Sequence, residues 1–334
     1  MHDVDLRLVF PIGSPNRPGS RWLLGAVILA ALLGFFWVCE VFAPETAPTQ
    51  ERPFGPALFF SVIIAYIVPI FGYIGERTEG ALEALRGELD ADDAQVNAWR
   101  DRIHLKPMRW LVIVLLIGIG LGIAHNALLF VTLDDLDLGR LGSPEIALIF
   151  GTELTWVVVT IVVAGLLDNA KVLHRAARHC VVPLLDTRRL RPFATVAVIS
   201  TLAVIGAQAA FPIMNVGGSS DAVAFIPGLI ATGVPMILLA AMPIWPVRQR
   251  ISAAKARALE AVNRQLMALP AADPARPETL AALAPLLAYR REVQQISDWP
   301  FDLGVVARLC LYLIIPPLTW VGAALIENLV DTFL

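Results

Sequence analysis

Charge is scarce in this chain: only 16% of its 334 residues are Asp, Glu, Lys or Arg, while 57% are hydrophobic and the mean hydropathy is +0.68. A water-soluble globular domain is excluded, because about a quarter of such a domain is charged. A formal net charge of −3 leaves no basic surplus for nucleic acid. Lysine is nearly missing, and Lys106, Lys171 and Lys255 all fall between apolar stretches, which excludes a retinal Schiff base inside a late helix. The preference for Arg over Lys points to a GC-rich bacterial genome and hence an inner membrane. Cys39, Cys180 and Cys310 fall at different depths or in different compartments, so no disulfide is expected. No P-loop, GxSxG, HExxH or CxxC pattern occurs, so neither an enzyme nor a resident cofactor is expected. Asp168, His174, His179 and Cys180 bear metal-capable side chains, but the two histidines stand about 140° apart around a helix, so they predict a solvated basic segment and no metal site.

What the chain has instead is long apolar runs. A bilayer core needs roughly 20 apolar residues in helical form, because hydrocarbon leaves every unpaired backbone group unsatisfied. Seven stretches qualify: Trp22–Phe42, Phe54–Ile74, Trp110–Val131, Glu145–Leu167, Phe193–Phe211, Ala222–Trp245 and Leu303–Val330. None alternates as a barrel strand would. The fold class expected is all-α, a single polytopic transmembrane domain over 1–334.

Sidedness follows from the basic residues. All but Arg52, Arg140 and Arg308 lie before the first stretch or in the second, fourth and sixth loops. The positive-inside bias therefore predicts a cytoplasmic N-terminus and an external C-terminus. Trp22, Trp110, Trp245 and Trp299 at the basic ends fit interfacial anchors. The loops 75–109 and 246–302 are long enough for helices of their own. Asp90, Ala91, Asp92 and Asp93 predict a turn and cap in the first of these. Pro270 to Pro277 predicts the bend of a helical hairpin in the second. These extensions serve either as a membrane-proximal bundle or as a surface for self-association or a cytoplasmic protein partner.

Polar groups within apolar stretches are the candidate functional residues, since insertion of a charge at mid-bilayer costs at least ~2.5–3.5 kcal/mol. Glu153 lies ~12 Å into the fourth stretch, and His125 and Asn126 lie ~9 Å into the third from the same side. A His125–Glu153 contact is expected, either as a structural pair or on a permeation or proton pathway. Glu40, Gln208 and Glu327 sit at comparable outer depth, and an acidic outer vestibule would concentrate cations. The alternative is that outer loops are acidic merely because Arg is excluded from them. Pro235 in the sixth stretch and Pro316-Pro317 in the seventh are hinge or gating candidates, because proline frees backbone carbonyls that ligands can use.

The layout of seven helices, with the N-terminus inside and a very short outer tail, resembles in topology the insect chemoreceptor channels, whose last helix lines the pore. Leu311-Tyr-Leu-Ile-Ile-Pro-Pro-Leu-Thr-Trp320 does not carry that family's aromatic and glutamine signature, so no residue role is transferred. The expected function is an ion channel or small-solute transport protein, cation-conducting, with a pathway near the sixth and seventh helices. A homo-oligomer is expected, with the lipid bilayer and an inorganic cation or small solute as partners. The alternative is a non-transporting sensor or scaffold that binds a soluble protein through its cytoplasmic helices.

Overall fold

The computed structural model describes residues 3–9, 19–42, 54–131, 142–215, 226–268 and 277–299. Its elements are β1 (Asp3–Asp5), α1 (Leu6–Val9), α2 (Gly19–Val38), α3 (Gly55–Ala84), α4 (Asp93–His104), β2 (Leu105–Pro107), α5 (Met108–Val131), α6 (Ser143–Arg178), α7 (Arg191–Gln208), α8 (Ile226–Met267) and α9 (Pro277–Gln295). Six segments are long and apolar enough to cross a membrane: those of α2, α3, α5, α6 and α8, and Leu184–Met214, which contains α7. This is the architecture of an all-α, multi-pass membrane protein. The seventh expected stretch, with Pro316, Pro317 and Glu327, lies outside the described residues.

Helix α3 is the central element, packing against α2, α6 and α7. Its apolar residues point in several directions, from Phe59 and Phe60 to Phe71 and Ile74, which a helix surrounded by neighbours requires. By contrast, Trp22, Trp37, Ile113, Leu116, Ile123 and Ile237 are exposed on α2, α5 and α8, an apolar surface suited to lipid.

The basic loops share one face. A second cluster joins Leu82 and Leu85 of α3, Val96, Trp99 and Ile103 of α4, Leu173 and Ala177 of α6, Leu190 and Phe193 around the start of α7, and Val247 and Ile251 of α8. Asp92 caps α4 by accepting a hydrogen bond from the Gln95 amide at 2.7 Å, as the aspartate cluster predicted. Residues of the 75–109 loop thus pack against α6, the start of α7 and α8. Two connections have no periodic signal: β1 pairs antiparallel with β2, and Leu89 forms an isolated bridge with Cys180. Burial pushes the Cys180 thiol up to about 11, which makes it a packing residue without thiolate reactivity at neutral pH.

Helix α8 runs 42 residues through Pro235, Pro243 and Pro246. A proline removes the bond to the carbonyl four residues earlier, so Pro246 frees that of Met242. His174 of α6 donates its Nδ1 proton to this oxygen at 2.9 Å. The carbonyl's need fixes the tautomer, and the histidine expected to be solvated is a structural donor. His174→Phe should destabilise the protein by about 1–2 kcal/mol, read as a lower thermal midpoint in detergent, and speed amide exchange around Pro246. Unchanged exchange there would remove this role.

Candidate functional site

The interior of the bundle holds a narrow apolar cleft of about 80 Å³. Along α3 its wall runs from Phe59 to Ile74, ~22 Å at the helical rise. α6 contributes Thr152, Thr155, Trp156, Val159 and Leu166, α7 contributes Ala203 and Ala207, and α8 contributes Ala231 and Thr232. No carboxylate is among the described lining residues.

Few polar atoms interrupt this surface. Thr152 Oγ1 donates to the Leu148 carbonyl at 3.0 Å, and Thr232 Oγ1 to that of Gly228 at 2.8 Å. Thr155 is different: its buried hydroxyl has no hydrogen-bond partner. A threonine in a helix ordinarily bonds back to the preceding turn, so an unsatisfied hydroxyl on a cavity wall stands ready for a ligand's polar atom.

His125 of α5 also lines the cleft. Its Nδ1 accepts from Trp156 Nε1 at 2.6 Å, with the two rings nearly perpendicular at 5.7 Å. The expected pairing of His125 with Glu153 is therefore replaced by His125 with Trp156. The matched depths are correct, but the helix faces differ. Glu153 Oε1 is buried without a hydrogen-bond partner, and the carboxylate packs over Gly122 of α5, outside the cleft.

Gly118 and Gly122 make that contact possible. A Cβ at Gly118 would stand 2.9 Å from the Val157 Cα, and one at Gly122 would overlap the Glu153 carboxylate. Small residues four apart let two membrane helices approach closely where no hydrophobic effect drives them together. Asn126, the next residue on this stripe, bonds the Ile149 carbonyl at 3.4 Å. This glycine stripe was hidden inside an unbroken apolar run.

Gln208 and Glu40 make contacts within the helical framework. Gln208 donates to Thr232 Oγ1 at 3.0 Å, fastening α7 to α8 behind the cleft wall. Glu40 lies beyond the end of α2, not within it, with φ 61°. The Glu40 and Val41 amides bond the Trp37 and Phe36 carbonyls at 3.0 Å each, which makes Glu40 the left-handed terminator of a Schellman motif.

The basic face supplies a network that sequence reasoning missed. Lys106 is only 1% exposed, held by the Asp168 carboxylate at 2.5 Å, the Arg102 carbonyl at 2.6 Å and the ring of Trp110. Burial lowers its pKa and the Asp168 hydrogen bond opposes that fall. Glu79 is shared by Arg7 at 3.1 Å and by Arg100 and His104 at 3.3 Å each.

Burial, reinforced by Arg7, lowers the His104 pKa, and Glu79 acts in the opposite direction. The unfolded chain then binds this proton more readily than the folded one, so stability is present above about pH 6.5 and falls as the pH drops below it. The thermal midpoint should decline between pH 7 and 5, less steeply in His104→Gln. An equal slope in both would assign the acid sensitivity elsewhere.

The fold and cleft define a class, a polytopic α-helical membrane protein with an internal apolar site. No protein-family model, no curated protein and no solved structure matches the chain.

Proposed function

We propose that the protein is a membrane transport protein for a small apolar or amphipathic solute, with the cleft between α3, α6, α7 and α8 as part of its pathway. The observation that carries this reading is the run of apolar side chains through the bundle interior, ending near unsatisfied Thr155. Such a surface suits a solute that brings its own apolar body and one polar group. Helix α8 forms part of the wall and carries Pro235, consistent with movement of the expected sixth-helix pathway. A cation pathway finds less support, since the described wall holds no carboxylate and Glu153 faces α5. The proposal includes a seventh span over 303–330, an N-terminus in the cytoplasm and an inner-membrane location, all resting on hydropathy and the arginine distribution.

The test is flux in proteoliposomes, using the amphipathic dye ethidium and separate K⁺, Na⁺, Cl⁻ and proton gradients. Ala207→Trp, which fills the cleft, should reduce dye flux at least tenfold, whereas Glu153→Gln should leave it within twofold. Ion currents sensitive to Glu153→Gln and indifferent to Ala207→Trp would overturn the solute reading in favour of an ion pathway.

A second reading, a scaffold without transport, has one observation in its favour: Met267, Leu287 and Tyr289 are exposed on the α8–α9 hairpin. It predicts no flux of any tested solute and stoichiometric capture of one soluble protein by the intact hairpin.

A further inference from the structure

On the basic face, separate from the cleft, a groove of about 930 Å³ opens between α3 and the segment leading into α7. Arg21, Arg77, Arg188, Arg189 and Arg191 line it, against Glu76 and Glu88. We infer that this groove binds the phosphate of an anionic membrane lipid.

The arginines are not all neutralised by the glutamates. Arg21 pairs with Glu76, and Arg189 with Glu88 at 2.9 Å and Asp186 at 3.1 Å. Arg77 and Arg188 have no carboxylate partner among the described residues. Arg21 and Arg77 both lie over one ring, that of Tyr73, at 5.6 and 5.1 Å from its centroid, and Arg77 Nε donates to the Tyr73 hydroxyl at 2.9 Å. Arg21 also has its Nε buried without a partner. Two guanidinium groups gathered on one aromatic ring repel each other, and an anion beside them removes that cost while using the idle donors.

Depth selects the source of the anion. Arg21 is followed by Trp22, 68% exposed at the start of α2, and Arg191 begins α7. Exposed tryptophan at a span's end marks the headgroup level, where lipid phosphates lie. Thr195 and Val196 of α7 line the groove together with Glu88 and Arg188. A headgroup would enter sideways with its acyl chains still in the bilayer.

The purified full chain in a neutral detergent should be titrated with short-chain phosphatidylglycerol, short-chain phosphatidylcholine or inorganic phosphate, and binding read from the thermal midpoint. Phosphatidylglycerol should raise the midpoint saturably. Arg77→Gln/Arg188→Gln should weaken its apparent affinity about 25-fold, at about fivefold for each basic residue lost at a membrane surface. Arg257→Gln, which alters an exposed arginine far along α8, should change nothing. Because Arg77 and Arg188 hold no carboxylate among the described residues, the double variant should fold, and the conservative Arg77→Lys/Arg188→Lys should recover part of the affinity. Equal shifts from phosphatidylcholine, or an unchanged affinity in the double glutamine variant, would overturn the proposal. A full response to inorganic phosphate alone would overturn the lipid as the source.

Discussion

Asp168→Ala should lower stability by about 3–5 kcal/mol, the largest loss expected from any single change in the described chain. The substitution strips Lys106 of its only carboxylate partner among the described residues while its ammonium stays 1% exposed, between the Arg102 carbonyl and the Trp110 ring. An uncompensated buried charge either forces water into the site or gives up its proton, and both raise the energy of the folded state. Lys106→Met/Asp168→Leu should recover most of the loss, since replacing both partners with apolar groups removes the desolvation cost along with the attraction. Denaturant or thermal unfolding of the three variants checks this. A double variant as unstable as Asp168→Ala would show that the pair contributes through something other than its charge.

Gly122→Leu should be the next most damaging, at about 2–3 kcal/mol for forcing a side chain into a packed contact. Its Cβ alone would overlap the Glu153 carboxylate, and the longer leucine side chain would reach past it toward α6. Displacing the carboxylate opens the α5–α6 contact, and the Trp156–His125 bond on the adjoining face stretches with it. Gly122→Leu/Glu153→Ala should restore part of the stability, because the obstacle is the carboxylate rather than backbone. Cysteine crosslinking between α5 and α6, compared across these variants, reads the separation directly. Equal crosslinking yields in wild type and Gly122→Leu would contradict the close-packed interface.

These residues show what a linear reading captures. Apolar runs and arginine placement revealed the six described spans and grouped their loops onto one face, because lipid imposes the same requirement on every spanning segment. The Asp92 cap was equally visible, being local, while the bend expected from Pro270 to Pro277 falls at residues 269–276, outside the described ones. Depth along a helix was also legible, and His125 and Glu153 do lie at similar depths. The direction each side chain takes around its helix was not, since it depends on neighbours that only folding supplies: Trp156 occupies the position beside His125 that Glu153 was expected to fill. Nothing local linked Lys106 to Asp168, the residue 62 positions away that covers it. The left-handed backbone at Glu40 gave no warning, because glycine is the usual signal for that position.

The proposed occupant of the cleft is an apolar solute with a polar group near Thr155. Photolabelling in proteoliposomes with a diazirine-tagged decanol, with peptides mapped by mass spectrometry, tests it most directly. Adducts on the inward residues Ile67, Val159 and Ala203 in wild type, lost in Ala207→Trp and redistributed in Thr155→Val, are the predicted result. Labelling confined to outward residues such as Ile113, Leu116 and Ile237, and equal in all three proteins, would contradict it.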